Sequence, residues 1–312
     1  MEFNEIMEKI FELYREGKYE DALKLAKQNK EDYLEYLSRL YYYEACLLSV
    51  LNKKDEAVKV LNDALSFGFW WSVNTLNFEK DFDSIRETEE FKQIVEKCKI
   101  FEEKSKEALK KEYILTEPKN IDKDKNYPLL ISLHSRDTNI KRYSKHFDLE
   151  FLNESFYVLF PQSSQKASFN GYSWDDSEIA YKDIISITND ILDKYNIDKN
   201  KIIISGASQG GRIALEIYLK NLIPLKGYIG IIPAFRDIDY LLEILDKRIG
   251  EDLKFVFLTG DKDYFYSIVS KLNNEIEKRG FKTLFIVKED MGHSIPPDLE
   301  EKLKHSLDFL LM

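Results

Sequence analysis

The sequence predicts an α/β fold with a mostly parallel central sheet, preceded by an all-α helical half. Three observations lead there. The hydrophobic period changes near Lys111, from helical spacing to short apolar runs. Those later runs alternate with helical stretches, the arrangement that crossover connections between parallel strands require. One of them, Lys201-Ile202-Ile203-Ile204-Ser205, leads directly into Gly206-Ala207-Ser208-Gln209-Gly210, with a helix expected over Arg212 to Asn221. A G-x-S-x-G segment between a strand and a helix makes a turn sharp enough to hold its serine out from the chain.

From Met1 to about Lys111 apolar residues recur at helical spacing, proline is absent, and only Gly17 and Gly68 interrupt. Gly17-Lys18-Tyr19-Glu20-Asp21-Ala22-Leu23 matches Lys53-Lys54-Asp55-Glu56-Ala57-Val58, which puts Ala22 and Ala57 about 35 residues apart, the period of a helix-turn-helix repeat. A small alanine at that position suits the close crossing of paired helices. These residues, with Asn52, Leu61 and Ala64, resemble the turn and second helix of the tetratricopeptide repeat; Ile10 and Ala45 stand where that family usually has glycine. The stretch Phe67 to Glu96, with Phe82, Ile85 and Phe91, looks like the closing helices of such an array. The resemblance implies a helical domain over 1–104, able to engage a protein partner or a second copy, and a second domain over 105–312. The charged segment Lys104 to Lys111 is expected to be the helical connection.

Beyond it, strands are predicted at Tyr113 to Leu115, Leu129 to Leu133, Tyr157 to Phe160, Ile202 to Ser205, Tyr228 to Ile232, Phe255 to Leu258 and Leu284 to Val287. Helices are predicted at Ser177 to Tyr195, Asp239 to Asp246 and Asp298 to Leu311, the first with side-chain caps in Asp175-Asp176-Ser177-Glu178.

In an open parallel sheet, function gathers in loops beyond the carboxyl ends of the strands. A serine nucleophile needs a base, and the base an orienting acid. After Phe255 to Leu258 comes Thr259-Gly260-Asp261-Lys262-Asp263; after Leu284 to Val287 comes Lys288-Glu289-Asp290-Met291-Gly292-His293. Either Asp261 or Asp263 could serve as the acid. The remaining histidines fit the base role less well: His305 in the terminal helix, His146 in the polar segment Lys141 to Phe147, and His134 beside Ser135.

The chain order Ser208, Asp, His293 is that of the α/β-hydrolases, and Tyr113 to Met312 resembles that superfamily, closest to the dienelactone hydrolase and carboxylesterase or thioesterase type. The resemblance implies Ser208 as nucleophile, Asp263 as acid and His293 as base. It implies an oxyanion hole built from backbone N–H groups of Gln209 and of the loop His134-Ser135-Arg136, where Ser135 replaces the usual glycine and the choice between Ser135 and Arg136 stays open. His134 is expected to brace that loop. Substrate contacts are assigned to His134, Tyr172 and Trp174, against the alternative that the loop aromatics anchor the next helix. Arg136 could meet a substrate carboxylate or sit in a salt bridge.

The implied activity is hydrolysis of a small-molecule carboxylic ester or thioester, with no cofactor and no metal. Rival readings are a serine peptidase of the same fold and a non-catalytic helical-repeat binding protein on a hydrolase scaffold. With 44% hydrophobic and 33% charged residues the composition is that of a globular protein, and the net charge of −10 argues against nucleic acid. No stretch reaches the length of a membrane span, and the acidic start Met1-Glu2-Phe3-Asn4-Glu5 lacks signal-peptide features, so a cytoplasmic location is expected. Cys46 and Cys98 are expected as small buried hydrophobes. Asp122, Asp124 and Asn126 open like a calcium loop, but Tyr127 and Leu133 stand where that loop needs glycine and glutamate, leaving a polar turn.

Overall fold

The computed structural model describes residues 3–30, 32–106 and 111–312. The chain divides into two units: Met1–Leu109 with Lys166–Asn170, and Lys110–Gln165 with Gly171–Met312.

The first unit is built from α1 (Phe3–Arg15), α2 (Tyr19–Gln28), α3 (Leu37–Val50), α4 (Lys54–Ser66), α5 (Val73–Phe78) and α6 (Glu89–Lys106). The sequence repeat has an atomic counterpart in its turns. Gly17 (φ +73°) and Asn52 (φ 57°) both take the left-handed conformation that ends a helix. Just beyond them, the Lys18 N–H donates to the Leu13 carbonyl at 2.9 Å, and the Lys53 N–H to the Leu48 carbonyl at 2.8 Å. Each turn thereby satisfies carbonyls that the preceding helix leaves open, so α1–α2 and α3–α4 reverse direction by the same device. Ala22 and Ala57 are fully buried in the core, with Ile10, Ala45, Leu61, Phe82, Ile85 and Phe91. Burial pushes both thiols up, that of Cys98 to about 11 and that of Cys46 well above its ordinary value. Both cysteines are free and buried. The expected helical connection is α6 as far as Lys106; residues 107–110 lie outside the described residues.

The second unit is a seven-stranded sheet covered on both faces. Its strands are β1 (Tyr113–Thr116), β2 (Tyr127–Leu133), β3 (Tyr157–Pro161), β6 (Ile197–Ala207), β7 (Gly227–Ile231), β8 (Lys254–Gly260) and β9 (Lys282–Lys288). They lie in the order β1-β3-β2-β6-β7-β8-β9. Only β1 is antiparallel to its neighbour, pairing Tyr113 with Pro161. Apolar periodicity did not reveal two short strands, β4 (Gln165–Ser168) and β5 (Gly171–Ser173).

Strands buried on both faces read as unbroken apolar runs, and this is why the sheet was visible in the sequence. Leu129, Ile131, Ile202 and Ile204 point to one face, where they meet α9 (Ser177–Lys194), α10 (Gln209–Leu219), α11 (Asp239–Asp246) and α12 (Tyr266–Lys278). Leu130, Ile203 and Val256 point to the other, against α7 (Ile140–Tyr143), α8 (Glu150–Ser155) and α13 (Leu299–Leu311). Tyr143 and Phe147 are buried in that second core, so the polar segment Lys141 to Phe147 is helical and half-embedded. The Asp176 carboxylate accepts the N–H groups of Glu178 and Ile179 and caps α9, as its sequence predicted. β7 stops at Ile231, one residue short of expectation, because Ile232 turns left-handed (φ 43°).

The chain passes from β2 outward to β3, then returns to the other side of β2 to form β6. Loops leaving β2 and β6 therefore run apart, and a crevice opens between them at the carboxyl ends.

Candidate active site

Ser208 occupies that crevice, at the single residue between β6 and α10, with φ 52° and ψ −116°. This strained turn depends on glycine at both ends. A Cβ on Gly206 would lie 2.4 Å from the Gly210 backbone, and one on Gly210 would lie 2.5 Å from the carbonyl oxygens of Leu133 and His134. Gly210 thereby lets the start of α10 rest against the loop that follows β2.

Two further loops converge on Ser208. His293 Nε2 lies 2.8 Å from the Ser208 Oγ, and His293 Nδ1 lies 2.8 Å from Asp263 Oδ2. The Asp263 side chain is fully buried, and its other oxygen accepts the Phe265 N–H at 2.8 Å. Asp261, left open by spacing, is partly exposed and faces Lys262 at 3.9 Å. His293 reaches this position because Gly260 packs on Met291: a Cβ there would clash with the Met291 carbonyl, whose oxygen accepts the Lys262 N–H at 3.0 Å. With Asp263 holding Nδ1–H, Nε2 is left as acceptor for the serine proton.

The loop after β2 is held by buried side chains. His134 is fully buried, with Nδ1 2.9 Å from the Ser135 carbonyl and Nε2 within 3.3 Å of the Ser163 N–H and 3.0 Å of Gln162 Nε2. Those partners suit a neutral ring with its proton on Nδ1. Burial, aided by the charge of Arg142 and opposed by the Ser135 carbonyl, lowers its pKa to about 4. Trp174 is also fully buried, donating its Nε1–H to the His134 carbonyl at 2.8 Å. His134 thus braces the loop, as expected of it, and Trp174 braces it too; both are fully buried, which leaves neither exposed for the substrate contact also assigned to them. Tyr172 is half-buried, and its backbone pairs with Thr138.

The pH consequence is specific. Unfolded, His134 gains a proton near its ordinary 6.5; folded, it resists until about 4. The depressed value contributes stability above 6.5 that is lost as pH falls toward 4, on the order of 3 kcal/mol. Urea unfolding at pH 7 and pH 4.5 should show this loss, reduced in His134→Asn; an equal loss in both proteins would contradict it.

Sequence reasoning missed the network around Asp175. Its carboxylate receives Gln209 Nε2 at 2.8 Å and pairs with Arg136 at 3.3 Å. Burial raises its pKa, but Arg136 together with hydrogen bonds from Gln209 and Ser173 outweighs this and holds the group below its ordinary value. Gln209 Oε1 accepts the Trp174 N–H at 2.8 Å. Arg136 is thus engaged by a carboxylate of the protein itself, and the Gln209 side chain ties the start of α10 to Trp174 and Asp175 and, through Asp175, to Arg136. Also missed were the rings beside His293, Tyr264 at 4.7 Å and Phe265 at 5.3 Å between centroids. No group of three or more potential metal-ligating side chains occurs among the described residues, and none of their helices is long and apolar enough to cross a membrane.

Residues 2–106 match the family model described as "A/B hydrolase-like, N-terminal domain". No curated protein matches the sequence. Among solved structures, an uncharacterized protein from Bacillus cereus ATCC 10987 is 22% identical with a TM-score of 0.56, over 99% of both chains. Esterase PE8 is 16% identical with a TM-score of 0.54, over 65% of this chain and 100% of its own. The S-formylglutathione hydrolase of Staphylococcus aureus is 13% identical with a TM-score of 0.51, over 65% of this chain and 93% of its own. At such identities the likeness is one of fold. The chain joins a helical region that matches the A/B hydrolase-like N-terminal domain to an α/β-hydrolase fold.

Proposed function

We propose that the protein is a serine hydrolase of small-molecule carboxylic esters or thioesters. The observation that carries this reading is the unbroken chain from Ser208 Oγ through His293 to the buried Asp263, both links 2.8 Å. In the first half-reaction Ser208 Oγ adds to the substrate carbonyl while His293 Nε2 takes its proton. Asp263 holds the ring in the required tautomer and stabilises the imidazolium. The oxygen of the tetrahedral intermediate is held by backbone N–H groups, one from Gln209 and one from Ser135 or Arg136. The Gln209 N–H lies in the first turn of α10, where helical N–H groups lack intrahelical acceptors and the helix dipole favours negative charge. The intermediate collapses, the leaving group departs with the proton from His293, and the acyl group stays on Ser208. Water, deprotonated by His293, then releases the acid and restores the serine.

Two proteins sharing the fold are by name an esterase and an S-formylglutathione hydrolase, in keeping with such carbonyl substrates. Acyl p-nitrophenyl esters and thioesters should be hydrolysed with Ser208-dependent turnover, and unactivated peptide amides much more slowly. Faster cleavage of the amides would favour the peptidase reading instead.

A further inference from the structure

We propose that Tyr264 forms the leaving-group subsite and selects esters or thioesters of aromatic alcohols and thiols; this rests on the serine-hydrolase reading above. The proton route sets the location. The departing oxygen or sulfur must come within hydrogen-bond reach of His293 Nε2 to receive its proton, so the leaving group extends over the surface next to that ring.

The surface there is aromatic. The Tyr264 ring lies 4.7 Å from the imidazole at an interplanar angle of 38°, while Phe265 meets it edge-on at 61°. Tyr264 is 72% exposed, whereas Phe265 packs against the core of the sheet. The exposed ring stands on a fixed backbone. On its N-terminal side the Asp263 N–H donates to the Gly260 carbonyl and the Lys262 N–H to Met291; on its C-terminal side the Phe265 N–H is held by the Asp263 carboxylate and the Tyr266 N–H by the Asp263 carbonyl. The turn that positions the acid therefore also fixes the backbone beneath the tyrosine, whose ring rests against those of Phe265 and His293. A preset ring loses little freedom when a second ring settles on it. Offset or tilted stacking between aromatic rings is favourable beyond the area it buries. A phenol or thiophenol leaving group stacks on Tyr264 with its heteroatom toward Nε2; a short alkyl group leaves most of that ring in water.

The test compares phenyl butyrate with trifluoroethyl butyrate, two activated esters that share one acyl-enzyme, in wild type, Tyr264→Ala and Tyr264→Phe. The expected result is a roughly three- to tenfold loss of kcat/KM for the phenyl ester in Tyr264→Ala, with the trifluoroethyl ester and the rate of fluorophosphonate labelling within about twofold of wild type. Tyr264→Phe keeps the ring and restores the phenyl preference. Equal losses on both esters and on labelling would show that Tyr264 only supports His293, and no loss at all would show that the ring is idle; either result overturns the proposal while the hydrolase reading stands. Folded wild type that neither hydrolyses the esters nor reacts with the fluorophosphonate overturns both.

Discussion

Replacing Ser208 with alanine is expected to lower kcat for ester hydrolysis by about 10⁶, and His293→Ala by a similar factor. The two side chains act as one device. Without His293 the serine hydroxyl keeps its proton and is a weak nucleophile; without Ser208 the imidazole has no covalent partner to activate. The double substitution should accordingly cost little more than either single one, because each already removes the acyl-enzyme route. Ser208→Ala removes one oxygen from a position that glycines on both sides hold open, so folding should be preserved. Steady-state kinetics with a p-nitrophenyl ester, beside thermal unfolding of each variant, checks both points. Activity of a folded Ser208→Ala protein within about tenfold of wild type would remove the serine from the mechanism.

Asp263→Asn should lower kcat by about 10⁴ with KM little changed. Asp263 Oδ2 accepts from His293 Nδ1 while the other oxygen is held by the Phe265 N–H. An asparagine can keep the second bond only by turning its NH₂ group toward the imidazole. Nδ1 must then accept, the ring proton moves to Nε2, and the histidine points a donor at Ser208 where an acceptor is needed. Asp261→Asn, at a side chain that faces Lys262, should leave kcat within about threefold of wild type. A larger loss at Asp261 than at Asp263 would reverse the assignment of the acid.

The parts of the molecule that were legible in its sequence are those governed by short-range rules. β2, β7, β8 and the second half of β6, from Ile202, are buried on both faces, so each reads as an apolar run whatever lies beside it, while the polar, mostly exposed start of β6 at Asp198 to Lys201 did not. The turns at Gly17 and Asn52 repeat because the same helix-ending geometry recurs, and Gly206 and Gly210 announce a turn that no larger residue fits. Ser208 was marked by its motif and His293 by its place after a strand. Spacing alone could not separate Asp261 from Asp263, since both share one loop. What separates them is contact with a segment about 30 residues away in the chain: Asp263 lies 2.8 Å from His293 Nδ1, while Asp261 faces Lys262.

The same limit explains the remaining differences. Trp174 was assigned a substrate contact as a loop aromatic, and His134 both that contact and a bracing role; their full burial and mutual hydrogen bond make them supports for the β2 loop. Of the two alternatives open for Arg136, a substrate carboxylate or a salt bridge, the structure has the salt bridge: Asp175, distant in sequence, pairs with it and with Gln209. Tyr264 carries no motif at all. Its position beside His293 becomes visible only when the loops after β8 and β9 are brought together. β4 and β5 span four and three residues, too few for an alternating pattern to register.

The central claim is that Ser208 is an activated nucleophile, and the most direct measurement is labelling of the folded protein by a fluorophosphonate probe with the modified peptide mapped by mass spectrometry. The account predicts stoichiometric modification of wild type at Ser208, abolished in both Ser208→Ala and His293→Ala. Folded wild type that stays unlabelled, or labelling that persists in Ser208→Ala, would contradict it.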